Sequence, residues 1–301
     1  MSSTPPETVD SGQPIFSQPV SGTETNPPAG SPSVTPDDPP WGFLAAFLTW
    51  VASIAFIIIV PNVFLLPYIA YRYHGVPGLT QQALMTNKTV VFLFVLSWVP
   101  AHLLTLALIW AVATRLRKYS LRDVFGFSWS PNFGPWKSVG LAISLFLLAW
   151  LIAALFGGKP TDLDQILQSS RAAALTLAVL AVATAPLVEE MIYRGLLYSA
   201  LQRLIGQWFA VVVVTSMFAG LHVWQYRQNF GTILSITLLS LVLTTIRART
   251  GRLLPCYIIH LVFNGVSALI IVFEPYLQQL FNLWRPQSVN GVLTGIWGAL
   301  N

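Results

Sequence analysis

The sequence predicts an all-α, polytopic membrane protein, a helix bundle of about seven to eight transmembrane helices. Hydrophobic residues make up 54% of the 301 residues and charged residues only 9%, whereas a soluble domain carries about 25% charged residues. From Trp41 onward, uncharged stretches of about 20 residues, the length that crosses a bilayer, follow one another. The basic residues are scattered singly among these stretches, so the predicted partner is the lipid bilayer and not nucleic acid.

The first 40 residues are predicted to form a disordered tail. They are rich in Pro, Ser, Thr and Gly, and their only charged side chains are acidic. Such a segment buries too little apolar surface to offset the entropy that it would lose on ordering. No basic region followed by a short apolar core is present, so no cleavable signal peptide is predicted. The tail is either inert or a docking arm, and the inert interpretation is favoured.

Seven uncharged stretches are the candidate spans of a membrane domain over residues 41–275. They are Trp41–Tyr71, Thr89–Thr114, Ser138–Gly158, Ala172–Val188, Leu204–Tyr226, Gln228–Ile246 and Leu253–Phe273. Pro61 lies inside the first stretch and predicts a tilt or a kink. The fourth stretch is short, and its helix is expected to continue through the glutamates that follow it. Residues 276–301 are apolar but interrupted by Arg285 and Pro286, which predicts an interfacial helix or an incomplete eighth span.

The distribution of basic residues predicts the orientation in the membrane. The loops after spans two, four and six carry ten Lys and Arg residues, and the remaining six lie in the other loops and the C-terminal tail. Because the more basic loops face the cytoplasm in membrane proteins, the N-terminal tail is predicted to be cytoplasmic. The glutamates at the end of span four are then near the cytoplasmic face.

Two adjacent glutamates and an arginine follow the fourth span in the stretch APLVEEMIYRGLL. A charge at bilayer depth costs about 2.5 to 3.5 kcal/mol on insertion, so three of them require a reason. Glu190 and Arg194 are four residues apart and can form an ion pair on one helix face. Glu189 lies about 100° around the helix, shares its face with Tyr193, and has no evident partner in the sequence. A surface ion pair explains Glu190 and Arg194 but leaves Glu189 unexplained.

Further polar residues lie inside the fifth and seventh spans. Phe218 and His222 are four residues apart in the fifth, and His260 and Asn264 are four residues apart in the seventh. A lone polar residue in a span usually forms a hydrogen bond between helices, which stabilises the bundle by about 0.6 kcal/mol on average. His102 is interpreted in this way. With the glutamates, the other polar residues supply a carboxylate, two imidazoles and a carboxamide. Those groups can activate a water and stabilise an oxyanion.

These residues form three motifs: E-E-x-x-x-R, F-x-x-x-H and H-x-x-x-N, in this order on spans four, five and seven. The order and spacing resemble the CPBP intramembrane proteases, which include the type II CAAX prenyl endopeptidases. The resemblance covers residues 169–273, which would be the protease core. It implies an intramembrane endopeptidase that acts on a peptide or a membrane-protein substrate.

The resemblance also implies a role for each matching residue. Glu189 would be the general base, and His222 would hold the water or a metal ion. His260 and Asn264 would bind the water or the metal and stabilise the oxyanion. The supporting residues would be Glu190, Arg194 and Phe218.

Two forms of the mechanism stay open at this stage. The family is commonly labelled as metalloprotease, and a metal-free glutamate and histidine mechanism has also been argued for it. The H-E-x-x-H signature of many zinc proteases is absent from the sequence. Zinc could still bind His222 and His260 together with a carboxylate and a water. The zinc prediction therefore rests on these two histidines.

Three alternatives compete with this prediction. Some members of the family are known only as immunity or scaffold proteins and do not cleave a substrate. A proton-coupled transporter would also place a carboxylate and histidines inside a membrane bundle. Cys256 lies four residues before His260 and could form a nucleophilic pair with it, although an inert apolar cysteine is favoured.

Overall fold

The computed structural model describes residue 1 and residues 34–76, 80–156, 166–167 and 169–284. In these residues the chain is helical, and the only β-type contact is an isolated bridge between Ser130 and Phe133. The fold class predicted from the sequence, a polytopic helical bundle, is confirmed.

The helices occur in the following order. They are α1 (Phe43–Arg72), α2 (Gln81–Met85), α3 (Lys88–Leu96), α4 (Trp98–Thr114), α5 (Leu121–Phe125), α6 (Pro135–Phe156), α7 (Arg171–Ala183), α8 (Ala185–Glu190), a π-helix (Met191–Leu197), α9 (Tyr198–Ile205), α10 (Gln207–Gln225), α11 (Phe230–Thr250) and α12 (Leu254–Trp284). Within the described part of the chain, six helical segments are long and apolar enough to cross a membrane. They are α1, α3 with α4, α6, α7 through α9, α10 and α11. The seventh predicted span corresponds to a shorter apolar helix, Leu254–Ile270.

The fourth span continues through the glutamates, as expected from the sequence. It is a single helical segment of 35 residues, Arg171–Ile205. Pro186 is tolerated inside this segment because it lies in the first turn of α8, where its missing N–H is not needed. Seven residues after Glu190 form a π-helix, in which the N–H of Tyr198 bonds the carbonyl of Tyr193, five residues earlier. Such wider turns occur frequently at functional sites.

The π-helix lies at the centre of the bundle, and all seven of its residues are buried. It contacts α1, α4, α10 and α11, so four helices fix its position. Gly195 also permits a close approach by Phe125 of α5. A Cβ atom at this position would lie 2.7 Å from the ring of Phe125, which is too short for any side chain. The site residues on and beside this segment are therefore held by dense packing.

Residues 34–40 belong to the tail predicted from the sequence, and they contact the helices. Asp37 forms an ion pair with Arg247 of α11 at 2.8 Å, and Asp38 forms one with Arg203 of α9 at 2.9 Å. The indole of Trp41, which follows this segment, donates a hydrogen bond to the carbonyl of Leu196 at 3.2 Å. Residues 37–41 are thus attached to the helices of the bundle. Residues 2–33 of the predicted tail lie outside the described residues.

The C-terminal boundary differs from the one drawn on the sequence. Helix α12 extends to Trp284, so residues 276–284 of the predicted tail continue the last helix. Residues 285–301 lie outside the described residues, and the choice between an interfacial helix and an incomplete span stays a prediction.

Candidate active site

The four residues proposed to be catalytic line the same internal space. A cavity of about 340 Å³ is lined by Glu189, His222, His260 and Asn264. A neighbouring cavity of about 500 Å³ shares three of these residues: Glu189, His222 and Asn264. The lining of the second cavity also includes residues of α1, α4 and α10. Tertiary packing therefore brings together residues from α8, α10 and α12 at the junction of two cavities.

Glu190 connects two of the predicted motifs. One of its carboxylate oxygens, Oε1, accepts a hydrogen bond from Arg194 Nη1 at 2.9 Å and another from His260 Nδ1 at 2.8 Å. The side chains of Glu190 and Arg194 are completely buried, and that of His260 is 4% exposed. This buried ion pair differs from the surface ion pair considered from the sequence. A carboxylate oxygen accepts hydrogen bonds, so Oε1 accepts from Nδ1 of His260 as well as from Nη1 of Arg194. In the neutral imidazole, the Nε2 atom of His260 is then unprotonated.

Arg194 is held by two residues of α11 that the sequence did not indicate. Its Nη2 atom donates to the hydroxyl of Ser240 at 2.8 Å, and its Nε atom donates to the hydroxyl of Thr244 at 3.2 Å. Ser240 and Thr244 are four residues apart on one helix face, a pattern visible in the sequence although not tied to any partner. The guanidinium carbon also lies 4.8 Å from the ring centre of Phe218. These contacts satisfy a charge that would otherwise be buried unpaired.

Glu189 faces the cavity, in contrast to its buried neighbour. Its side chain is 29% exposed, and its Oε2 atom lies 3.6 Å from Nε2 of His260. With the imidazole neutral, both atoms carry lone pairs, and a water between them can bond both. The residue that had no partner in the sequence therefore has a proton acceptor beside it. The pair can exchange a proton with a bound water.

His222 is oriented by its own helix. Its Nδ1 atom lies 2.9 Å from the carbonyl oxygen of Phe218, four residues earlier. A carbonyl oxygen can only accept a hydrogen bond, so Nδ1 carries a proton, and in the neutral imidazole Nε2 is unprotonated. Phe218 packs against this imidazole with the ring centres 4.8 Å apart. Both histidines of the site thus carry an unprotonated Nε2.

The side chain of Asn264 is held by a hydrogen bond from its amide nitrogen. Its Nδ2 atom donates to the carbonyl of Ala181 in α7 at 2.9 Å, and the residue lines both cavities. One N–H and the carboxamide oxygen are left for a molecule in the cavity. The contact also joins α12 to the fourth span, which carries the glutamates.

The fit of a zinc ion can be examined from the donor set. Two unprotonated imidazole nitrogens and a carboxylate are the right donor types, and a carboxylate behind a histidine is common in zinc sites. In the part of the chain that the structure describes, however, no group of three His, Cys, Asp or Glu side chains is spaced to hold a metal ion. The arrangement of Glu189, His222 and His260 does not form a metal site as it stands. Zinc binding stays a prediction, and the proposed steps of peptide hydrolysis do not depend on it.

Three further residues were considered for the site or contact it in the structure: His102, Cys256 and Trp50. His102, interpreted as structural, lines the larger cavity, and its Nδ1 lies 2.7 Å from the hydroxyl of Thr184. Cys256 is buried outside both cavities, and its thiol lies 3.3 Å from the carbonyl oxygen of Leu243. The indole of Trp50 in α1 bonds the hydroxyl of Tyr193, a contact between residues 143 positions apart that no local pattern indicates.

The fold and the site define an integral membrane protein whose helices enclose a cavity lined by a carboxylate, two imidazoles and a carboxamide. Residues 171–266 match the family described as Rce1-like, type II CAAX prenyl endopeptidase. The matched segment contains all three motifs, so the resemblance to the CPBP proteases is confirmed and the match indicates a membrane protease. No curated protein and no solved structure matches the chain.

Proposed function

We propose that the protein is an intramembrane endopeptidase of the CAAX type, which hydrolyses a peptide bond by attack of a water at the junction of the two cavities. The observation that supports this most is the series of contacts from Arg194 through Glu190 and His260 to Glu189. The series ends at the carboxylate of Glu189, which faces the cavity. The other three side chains are buried, and each forms a hydrogen bond with the next up to His260.

In the first step, Glu189 acts as the general base. A water beside Glu189 and the unprotonated Nε2 of His260 loses a proton to the carboxylate as its oxygen bonds the carbonyl carbon of the substrate. The carbonyl π electrons move to the oxygen, which becomes the oxyanion. The free N–H of Asn264 is in the same cavity and would donate to it.

In the second step, the tetrahedral intermediate collapses. The oxyanion reforms the carbonyl, the carbon–nitrogen bond breaks, and the departing amine takes the proton held by Glu189 or passed on to His260. The products are a carboxylic acid and an amine, and Glu189 is again ionised. Glu190 keeps His260 in one tautomer throughout, because its carboxylate holds the Nδ1 proton.

A peptide assay tests this proposal. Full-length protein, purified in detergent, would be incubated with a library of peptides with and without a prenylated C-terminus, and products identified by mass spectrometry. We expect cleavage by the wild type and none by Glu189→Gln, which retains the shape of the side chain but loses the base. Glu24→Gln removes a carboxylate from the N-terminal tail and is the matched control. Cleavage at the wild-type rate by Glu189→Gln would refute the mechanism.

Two measurements separate the protease from the alternative functions. A scaffold or immunity-type protein would keep its biological activity in Glu189→Gln, because it needs no base. A proton-coupled transporter would lose activity when the proton gradient is collapsed, whereas a protease would not.

The proposed orientation places the N-terminal tail in the cytoplasm. The ratio of ten to six basic residues between the two sides supports it. The sequence contains one cysteine, Cys256. A Ser11→Cys variant in a Cys256→Ala background therefore carries a single thiol, which lies in the N-terminal tail. Labelling of this thiol in intact cells by an impermeant maleimide would contradict the orientation, and labelling only after permeabilisation would support it.

A further inference from the structure

Tyr193 lines the larger cavity. It occupies one of the unspecified positions of the E-E-x-x-x-R motif, so the motif assigns it no role. It follows Glu189 by four positions, in the π-helix, and its side chain is part of the same cavity as Glu189 and His222. The residue is only 4% exposed. Its ring meets the ring of Phe218 edge to face, with centres 4.9 Å apart. The phenol is thus held in one place beside the proposed general base.

Among the residues that the structure describes, the hydroxyl of Tyr193 has one hydrogen-bond partner. Trp50 Nε1, from α1, lies 3.0 Å from the phenol oxygen. An indole nitrogen can only donate, so the phenol oxygen is the acceptor in this bond. The proton of the hydroxyl must then point elsewhere, and the hydrogen bonds of the described residues include no protein acceptor for it. A molecule in the cavity is the remaining acceptor.

The proposed reaction lacks a second hydrogen-bond donor at this place. One N–H of Asn264 is taken by the carbonyl of Ala181. In their neutral forms, His222 and His260 both present an unprotonated Nε2, which accepts and does not donate. A developing oxyanion is usually held by two or more donors, so one more is needed beyond Asn264. A hydroxyl that itself accepts a hydrogen bond is also a stronger donor, because bonds in a series polarise one another.

We propose that Tyr193 is a further catalytic residue, whose hydroxyl donates a hydrogen bond to the carbonyl oxygen of the bond being cleaved, and that Trp50 is its positioning residue. The assignment rests on the proposed protease function. No covalent bond is made or broken at Tyr193, since the phenol keeps its proton and only stabilises the negative charge on the oxygen. Trp50 acts through Tyr193 by holding the phenol oxygen from α1.

The test uses full-length protein and the best peptide found in the library. Tyr193→Phe removes the hydroxyl and keeps the ring against Phe218. We expect kcat to fall about 10²- to 10³-fold, as for loss of one oxyanion donor, with KM and the melting temperature little changed. Tyr198→Phe is the matched control. Tyr198 is also buried on the same helical segment, and it lines neither cavity. In the described part of the chain, its hydroxyl has no hydrogen-bond partner.

The positioning role of Trp50 is tested by a double-mutant cycle. Trp50→Phe should lower kcat by less than Tyr193→Phe, because the hydroxyl remains but is no longer held. The double variant should be no worse than Tyr193→Phe alone, because Trp50 acts only through that hydroxyl. Additive losses would assign Trp50 a separate structural role and overturn its assignment.

The outcomes distinguish this inference from the proposed function. If the wild type cleaves, Glu189→Gln does not, and Tyr193→Phe keeps the wild-type kcat, the role of Tyr193 is overturned and the protease function stands. If Tyr193→Phe changes only the pH dependence of kcat, the hydroxyl serves the carboxylate of Glu189 instead and the oxyanion role is wrong. If the wild type cleaves nothing, both the protease function and this assignment are overturned.

Discussion

Oε1 of Glu190 lies 2.8 Å from Nδ1 of His260, although the two residues are 70 positions apart in the chain. The same oxygen binds Arg194, so the first and third motifs meet at one buried carboxylate. This contact divides the work of the two adjacent glutamates. Glu190 orients the imidazole from behind, and Glu189 faces the cavity on the other side of the same ring. The predictions below follow from this division.

Replacing Glu189 by Gln should abolish peptide cleavage without unfolding the protein. The side chain is partly exposed to the cavity and forms no buried ion pair, so its loss removes a base and little packing. A positioned general base contributes about 10²- to 10⁴-fold to the rate. Initial rates and melting temperatures of the two proteins, measured in the same detergent, check this. A melting temperature far below that of the wild type would instead identify Glu189 as a structural residue.

Replacing Arg194 by Ala should act mainly on stability. The change leaves the buried carboxylate of Glu190 without its ion partner, and removing one member of a buried pair costs about 3 to 5 kcal/mol. Asp38→Ala is the control, because it breaks the partly exposed ion pair with Arg203, and such pairs contribute about 0 to 1 kcal/mol. Thermal unfolding of both variants is the measurement. An Arg194→Ala protein that unfolds like the wild type yet cleaves nothing would make the arginine catalytic.

Chelation should leave peptide cleavage intact. The proposed mechanism routes the proton between Glu189 and His260 and uses no metal, and the donors around the cavity are not spaced as a ligand set. The zinc prediction expects the reverse: about one equivalent of zinc per chain, lost together with activity on chelation and lowered by His222→Ala. Elemental analysis alongside activity, before and after treatment with a strong chelator, decides between them. Loss of cleavage that zinc restores would replace the metal-free mechanism.

Replacing Asp37 by Ala should destabilise the bundle although Asp37 precedes the first span. Its partner Arg247 is 1% exposed, and the side chain of Arg247 also stacks over the ring of Tyr198, with the guanidinium carbon 5.3 Å from the ring centre. Loss of a hydrogen bond to a buried charged group costs about 1 to 3 kcal/mol. Asp38→Ala removes a carboxylate that is 76% exposed and serves as the control. Equal melting temperatures for the two variants would show that the contact of Asp37 contributes nothing.

Local patterns in the sequence determined the membrane bundle, the positions of most spans, and the three motifs. Hydropathy over about 20 residues depends only on neighbours in the chain, so the spans could be predicted. The pairing of Glu190 with Arg194 could be predicted for the same reason, since residues four apart share a helix face. The resemblance to the family predicted that the four cavity residues form one site, but it did not indicate which contacts hold them in place.

Only the tertiary structure decided how the two glutamates differ. The bond from Glu190 to His260, the anchoring of Arg194 by Ser240 and Thr244, and the bond from Trp50 to Tyr193 all join residues at least 46 positions apart. No helical periodicity relates such residues, because their distance depends on how whole helices pack. The turn that places Arg194 and Tyr193 is a π-helix, and it forms where Gly195 lets Phe125 approach the backbone. Polar groups in an apolar bundle must find their partners across helices, so the chemistry of the site is set by packing that the sequence alone does not specify.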